Sequence, residues 1–563
     1  MVSMAIAAAC SSWAQSLMID GHRALCDALH NRWLCSVEKQ HFGTDWRAVV
    51  TIDSLLTSCS INGVAVNSGD TVTFEAVKGG KQYPFSAVAG DSTLVGTITF
   101  TWLPLLAIDG EFGDEYAPGS VSLYTPDDAT DKSGMLAKLK WRGGITNDGD
   151  RHKRNYHIKF VDENGNKKNR TLLDLRKDNH WKLDGGQIDM LRIRNRVCTD
   201  LWLDMARDPW YKAQDSTVIN GSRGRLTEVF LNGSYHGIYS LIEPVDRKQL
   251  ALVKHDTVAG VFHGQQWTAK QRFPTYAFPP YNNSLDTWNG NEVTYPEFED
   301  VAPTDWSVLY NAFEFARRYD AVDNWQVMGD SLGYYFDVPV MQDYYIFIVA
   351  LQAIDNEIKN IYYSCYDKQV SPCLTITPWD LDISVGSTSV DGLDVRPDRP
   401  VNWIMHLALG DMFNHTWHRD QIIKRYWELR KTWLSTASLV DRFSTAVSEL
   451  EECGAAAREE ERWSGDSDLG GKVLDISAEM EYVADWITQR MAFLDEKVFA
   501  RTVQPGDVND DGQVNIADIT LFINCLLNSM TTSLNEAGAD VTGDGQVNIA
   551  DVIALISMLL NGN

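Results

Sequence analysis

Beyond its first residues the chain has no run of eighteen consecutive apolar residues, so the mature protein is expected to have no membrane-crossing helix. It has no Cys-x-x-Cys either, which leaves a zinc ribbon or a dithiol redox motif without support. Positive charge is scarce. Fifty Lys and Arg stand against 77 Asp and Glu, a formal net charge of -27, and a field of that sign repels nucleic acid and anionic membranes over most of the surface. What is abundant argues against disorder: 44% hydrophobic and 11% aromatic residues can fill sizeable cores. At 563 residues the chain exceeds one core, and about three domains are expected.

The opening "MVSMAIAAACSSWAQS" has the apolar and small-residue parts of a secretory signal, with cleavage expected near Gln15 and residues 1–15 as the signal. No Lys or Arg precedes the apolar run, and "AAAC" offers a lipid-attachment alternative at Cys10. Export as a secreted or cell-surface protein is the expectation. Among the remaining cysteines, hairpins would set Cys26 opposite Cys35 and Cys365 opposite Cys373, or leave each as a buried thiol.

Three textures follow along the chain. Residues 16–125 hold short alternating runs broken by glycine turns, such as "RAVVTID" and "STLVGTITFTWLP", which predict an antiparallel β-sandwich without chemistry of its own. Residues 126–500 are mixed, predicting an α+β domain with a mainly helical second half. Here "RLTEVFLNGSYHGIYSLIEPVD" is a hairpin turning at Asn232 and Gly233. "VMQDYYIFIVALQAID" is an apolar helix leading into the hairpin "NEIKNIYYSCYDKQVSPCLTITPWDLD". Residues 501–563 contain an internal repeat, "DVNDDGQVNIADI" and "DVTGDGQVNIADV", each copy followed by an apolar-striped helix.

The repeat carries a metal pattern. Oxygen side chains fall at loop positions 1, 3, 5, 9 and 12 in Asp507, Asn509, Asp511, Asn515 and Asp518, with Gly512 at the sharp turn. The second copy offers Asp540, Thr542, Asp544, Asn548 and Asp551, while the carbonyls of Gln513 and Gln546 occupy position 7. Hard oxygens on a tight loop suit two Ca²⁺ ions, with Thr542 the weaker ligand. The pair resembles a type I dockerin, which implies an all-α calcium-binding module and a cohesin-bearing scaffold or surface protein as partner.

In the centre, "AIDNEIKNIYY" sets Asp355 and Asn360 five residues apart, the D-x-x-x-x-N spacing of a catalytic carboxylate and a metal-binding amide in phosphoryl transfer. A hairpin then leads to "PWDLDISVG". Its Asp380 and Asp382, read as strand residues with Leu381 between them, point to one side and need a positive partner. With "KWRGGITNDGDRHKRNYHIKF", "IDMLRIRN" and "LNGSYHGIYSLIEPVDR", this region resembles the spore-coat protein H (CotH) family of secreted atypical protein kinases.

That resemblance implies a kinase-like fold and phosphorylation of Ser or Thr on extracytoplasmic proteins, using ATP with Mg²⁺ or Mn²⁺. It implies Asp355 orienting the acceptor hydroxyl, Asn360 and Asp380 holding metal, and Asp382 serving as a further metal ligand or as a carboxylate supporting the ligands. Lys159 is the expected phosphate-facing lysine, with Lys153 and Arg142 as competitors, and Glu243 pairs with that lysine, approaches the adenine or is a surface charge. Two other classes remain: a non-catalytic surface or cellulosome-type module, and a plant-wall polysaccharide-degrading glycosidase. The latter would use paired carboxylates as acid and base, but acids two residues apart suit a shared metal better than two faces of a sugar.

Overall fold

The computed structural model describes residues 17–561 apart from 91, 145–146, 271–278, 321–330, 389–391, 405–415, 502–503, 510–511 and 529–533. The expected signal, Cys10 and Asp511 lie outside the described residues. The chain divides into two compact units, one built from Met1–Ile422 and Thr436–Met491, the other from Ile423–Ser435 and Ala492–Asn563.

The first unit begins with nine strands: β1 (Leu17–Ile19), β2 (His22–Asp27), β3 (Arg32–Ser36), β4 (Trp46–Ile52), β5 (Thr57–Ile61), β6 (Val64–Ala65), β7 (Thr71–Phe74), β8 (Tyr83–Ala89) and β9 (Ser92–Thr101). They form one sheet in the order β6-β5-β8-β9-β3-β2-β1-β4-β7. The alternation in "WRAVVTI" buries Trp46, Ala48, Val50 and Ile52 on one face, where Trp33, Phe74, Phe85 and Phe100 complete the core. Neither cysteine pair is in direct register: Cys26 lies opposite Trp33, Cys35 opposite Ala24 and Cys365 opposite Leu374, and all of these cysteines are buried.

Next come β10 (Leu105–Gly110), β11 (Ala117–Thr125), β12 (Asp128–Arg142), β13 (Asn155–Phe160), β14 (His180–Asp184), β15 (Gly224–Leu231) and β16 (Ser234–Ile242). These close into a barrel in the order β10-β11-β12-β13-β14-β16-β15. Residues 105–125, grouped with the N-terminal module by their alternation, are therefore barrel strands. Short alternating runs look alike on either side of such a boundary. The β15–β16 hairpin turns at Asn232 (φ 48°) and Gly233 (φ 75°), as an Asn-Gly pair favours. Leu139, Ile158, Phe160, Trp181, Leu183, Val229 and Leu241 fill the barrel.

A second sheet, in the order β18-β19-β17-β20-β21, is built from β17 (Gln265–Ala269), β18 (Thr287–Trp288), β19 (Asn291–Tyr295), β20 (Ile361–Asp367) and β21 (Ser371–Pro378). The helices of this stretch of chain are α1 (Arg194–Met205), α2 (Ser307–Asp320), α3 (Val338–Leu351), α4 (Thr416–Arg430), α5 (Thr436–Glu452), α6 (Ala455–Trp463) and α7 (Ile476–Phe493); α4 from Ile423 on belongs to the second unit. Helix α3 is buried nearly all round, which explains its uniform apolarity. Helix α6 is fixed to the barrel by the Arg458 guanidinium, which donates to both oxygens of buried Glu228 at 2.8 and 2.7 Å. The second unit contains α8 (Ile516–Leu527) and α9 (Ile549–Asn561), the helices that follow the repeated loops.

Candidate active site

Strand β21 ends at Pro378, so the two acids stand on a loop rather than on a strand. Asp380 has φ 59° and Asn360, at the foot of the hairpin, φ 56°, a left-handed conformation that non-glycine residues hold only with support. The support is local. Trp379 N–H donates to the Asn360 carbonyl at 2.9 Å, and the Asn356 amide donates to the carbonyls of Asn360 (3.1 Å) and Trp379 (2.7 Å). Leu381 is fully buried and anchors the loop, and its N–H donates to Asn195 Oδ1 at 3.0 Å. The Asn195 amide also donates to Asp184 Oδ2, so the first turn of α1 ties the end of β14 to the acid loop. Its neighbour Arg194 reaches the Val385 carbonyl farther along that loop.

Asp380 and Asp382 repel each other's charge. Burial pushes Asp380 up to about 6, with Asp184 adding to the rise and Arg142 and Lys359 opposing it. Burial, then Asp380, then Asp184 hold Asp382 well above the ordinary carboxylate range. Asp355 acts on both acids in the same direction and makes a 2.6 Å ion pair with Lys359. Mutual repulsion of this kind is what a nearby positive charge relieves.

The opposing wall is the outward face of the barrel. Cross-strand pairing sets Lys138, Lys159 and His180 in one row across β12, β13 and β14, and Lys140, His157 and Lys182 in the next. Arg142 continues this face on β12. Lys182 Nζ lies 4.3 Å and the Arg142 guanidinium 5.5 Å from the centroid of the Trp379 ring, beside Asp380. Burial lowers the Lys182 amine to about 7, with Arg142 pushing the same way against Asp246 and Asp380. Burial, Lys182 and Arg142 keep His157 uncharged, and burial with Lys182 brings His180 to about 3.

The sequence-expected residues are therefore sorted by the fold. Arg142, Asp355, Asn360, Asp380 and Asp382 come together. Lys153 does not: it is buried in an ion pair with Glu459, which also binds Arg192 Nε at 2.7 Å. Lys159 faces the same side as Lys182 but one row farther out, against the Tyr116 ring. Glu243 is neither lysine-bound nor exposed. It is fully buried and accepts from Arg223 at 2.7 and 3.0 Å, from Arg176 N–H at 2.6 Å and from Gln249. Lys182, Asp184 and Asn195 were missed. The alternation of "HWKLD" places Lys182 and Asp184 on one strand face, a signal visible in the sequence once that strand is assigned.

In the second unit, the aspartates at loop position 12 organise both repeats. Asp518 Oδ1 accepts from the N–H groups of Val508 (2.8 Å) and Asn509 (2.9 Å), and Asp518 Oδ2 from Asn515 (2.9 Å). Asp551 Oδ1 accepts from Thr542 N–H (3.0 Å) and Thr542 Oγ1 (2.8 Å), and Asp551 Oδ2 from Asn548 (2.9 Å). Burial raises the Asp551 carboxyl, yet these donors outweigh it and hold it below its ordinary value. Gly512 (φ 82°) and Gly545 (φ 80°) make the sharp turns, and Asp507 and Asp540 accept the N–H groups of those glycines. The oxygen side chains of the described loop residues are of the kind Ca²⁺ takes.

The sequence model of the CotH kinase protein family matches residues 139–494, and that of the dockerin type I domain matches residues 505–560. No curated protein matches the chain. The first match spans the barrel from the end of β12, the second sheet and the helices up to α7; the second spans both loops of the repeat. Dockerin type I domains bind calcium and cohesin partners. The chain belongs to the CotH kinase protein family and ends in a type I dockerin.

Proposed function

We propose that the central region is an ATP- and divalent-metal-dependent protein kinase acting on Ser or Thr of extracytoplasmic proteins, and that the dockerin tethers it to a cohesin-bearing scaffold or surface. The observation that carries this reading is the meeting of Asp184, Asp380 and Asp382 with Lys182 and Arg142 across the Trp379 ring. ATP, when bound, would supply the phosphoryl group, and a divalent Mg²⁺ or Mn²⁺ would supply positive charge beside it.

The chain's own groups divide the remaining work. Lys182 and Arg142 bind and orient phosphate oxygens, and both pack on the Trp379 ring, which fixes their direction. Asp380, with Asp382, Asp184 and Asn360, would hold the metal. Asp355 orients the acceptor hydroxyl and accepts its proton, while Lys359, 2.6 Å away, fixes that carboxylate in place. Asn195 keeps the barrel strand and the acid loop in register.

The test is transfer of label from γ-labelled ATP to the chain or a generic acceptor with Mg²⁺ or Mn²⁺, beside Asp355→Ala and Asp380→Ala. Transfer by the parent chain and its loss in both variants is the expected result. Absence of transfer together with absence of a nucleotide-induced thermal shift overturns the reading in favour of a non-catalytic module.

A further inference from the structure

Beyond Lys182 the same barrel face continues into a cavity of about 450 Å³ that phosphate binding at Trp379 leaves unexplained. Lys138, Lys159 and Lys167 line it together with His180, Tyr295 and Glu297. Lys138 and Lys159 are direct cross-strand partners, an arrangement in which like charges destabilise the sheet. Lys140, on the same strand face, and Lys159 both rest on the Tyr116 ring, at 5.6 and 4.4 Å. None of these four lysines forms an ion pair with a described residue. The cavity's acids offer little relief: Asp178 is held by Lys248 and Arg176, and Asp246 by Arg176, which leaves Glu297 facing the cluster. Desolvation, with Lys167, Lys140 and Lys138, lowers the Lys159 amine despite Glu297.

We propose that this lysine cavity is an acceptor subsite that binds an acidic side chain, carboxylate or phosphate, of the polypeptide being phosphorylated. The proposal rests on the kinase reading, because that reading is what brings a polypeptide into the cleft. An uncharged purine would leave the Lys138–Lys159 repulsion unrelieved, whereas an anion cancels it and gains charge-assisted hydrogen bonds. The cavity's size admits one or two side chains rather than a duplex or a lipid surface, and a net charge of -27 repels extended polyanions.

The experiment uses the full chain and a fluorescein-labelled octapeptide of alternating serine and glutamate, with its glutamine counterpart as control, read by fluorescence anisotropy. The glutamate peptide is expected to bind about tenfold tighter than the glutamine one, and Lys138→Glu with Lys167→Glu to abolish that preference. Circular dichroism identifies any variant that unfolds, and Lys138→Gln with Lys167→Gln then replaces it. The ATP-induced thermal shift is expected to be unchanged in these variants and lost in Lys182→Met, which keeps its peptide preference. Equal binding of the two peptides overturns the subsite, and so does loss of the ATP shift in the Lys138 and Lys167 variants, which assigns the cavity to the nucleotide. Absence of an ATP shift in the parent chain, with peptide preference intact, counts against the kinase reading instead.

Discussion

At the scale of single residues, the site depends on groups that the fold holds against their own electrostatic preference. Asp380 sits in a left-handed conformation beside two further acids, so removing its charge relieves the apo protein while depriving the metal of a ligand. Asp380→Asn is therefore expected to keep or raise the melting temperature while lowering phosphoryl transfer by about 10²–10³-fold, as loss of a preorganised electrostatic group does. Thermal melts and labelled-ATP assays on one preparation check both halves. The two lysines make a sharper contrast: Lys182→Met is expected to remove the ATP-induced thermal shift, whereas Lys159→Met leaves it within about a degree. The D-x-x-x-x-N spacing and the paired acids are read from local order in the sequence, whereas the choice among lysines depends on the fold. Strand alternation narrows Lys138, Lys140, Lys159 and Lys182 to one face, but only the register of three strands places Lys182 rather than Lys159 over Trp379.

At the scale of elements, buried polar groups join pieces whose apolar patterns say nothing about their docking. Glu228 on β15 and Arg458 on α6 are 0% and 3% exposed and pair at 2.7 Å. Arg458→Met alone leaves a buried carboxylate without its partner and is expected to cost about 3–5 kcal/mol; adding Glu228→Gln recovers much of that loss. Urea melts of the two variants test the pair. Asp337, which begins α3, is another such join: its carboxylate accepts from Trp210 N–H at 2.9 Å and Thr375 Oγ1 at 3.3 Å. Burial pushes it up to about 6 from 3.8 despite those bonds. Between those values the folded state holds a proton that the unfolded chain has released, so this group's share of stability falls as pH rises from 4 to 6. Asp337→Asn does not titrate, and its stability relative to the parent is expected to improve by about 2 kcal/mol from pH 4 to pH 7. Overlaid melts at the two pH values read that difference. Helix α3 and the hairpins were readable from apolarity and turn residues. The partners Glu228–Arg458 were not, because 230 residues separate them.

At the scale of the whole molecule, the two units differ in what holds them together. The first has large apolar cores; the second relies on a small one, built from residues such as Val508, Phe522, Val552 and Leu555, between two loops rich in carboxylates. Calcium that binds only the folded loops stabilises them by about 4 kcal/mol at a thousandfold excess over Kd. Removal of calcium with a chelator is therefore expected to lower the melting of the second unit alone. The two loops can be ranked. In the second, Thr542 Oγ1 donates to Asp551 Oδ1 at 2.8 Å, so its hydroxyl is engaged by a carboxylate and brings no charge to the ion. Thr542→Asp removes that donor and places a fourth acid beside Asp540, Asp544 and Asp551, which destabilises the calcium-free loop by like-charge repulsion. Added charge also strengthens the site for a divalent ion. The expected result is a lower melting temperature in chelator, a higher one in millimolar calcium, and a widened difference between them. A variant that lowers both melting temperatures equally would show that Thr542 serves loop closure alone, and that the second repeat owes its shape to the Asp551 hydrogen bonds rather than to an ion.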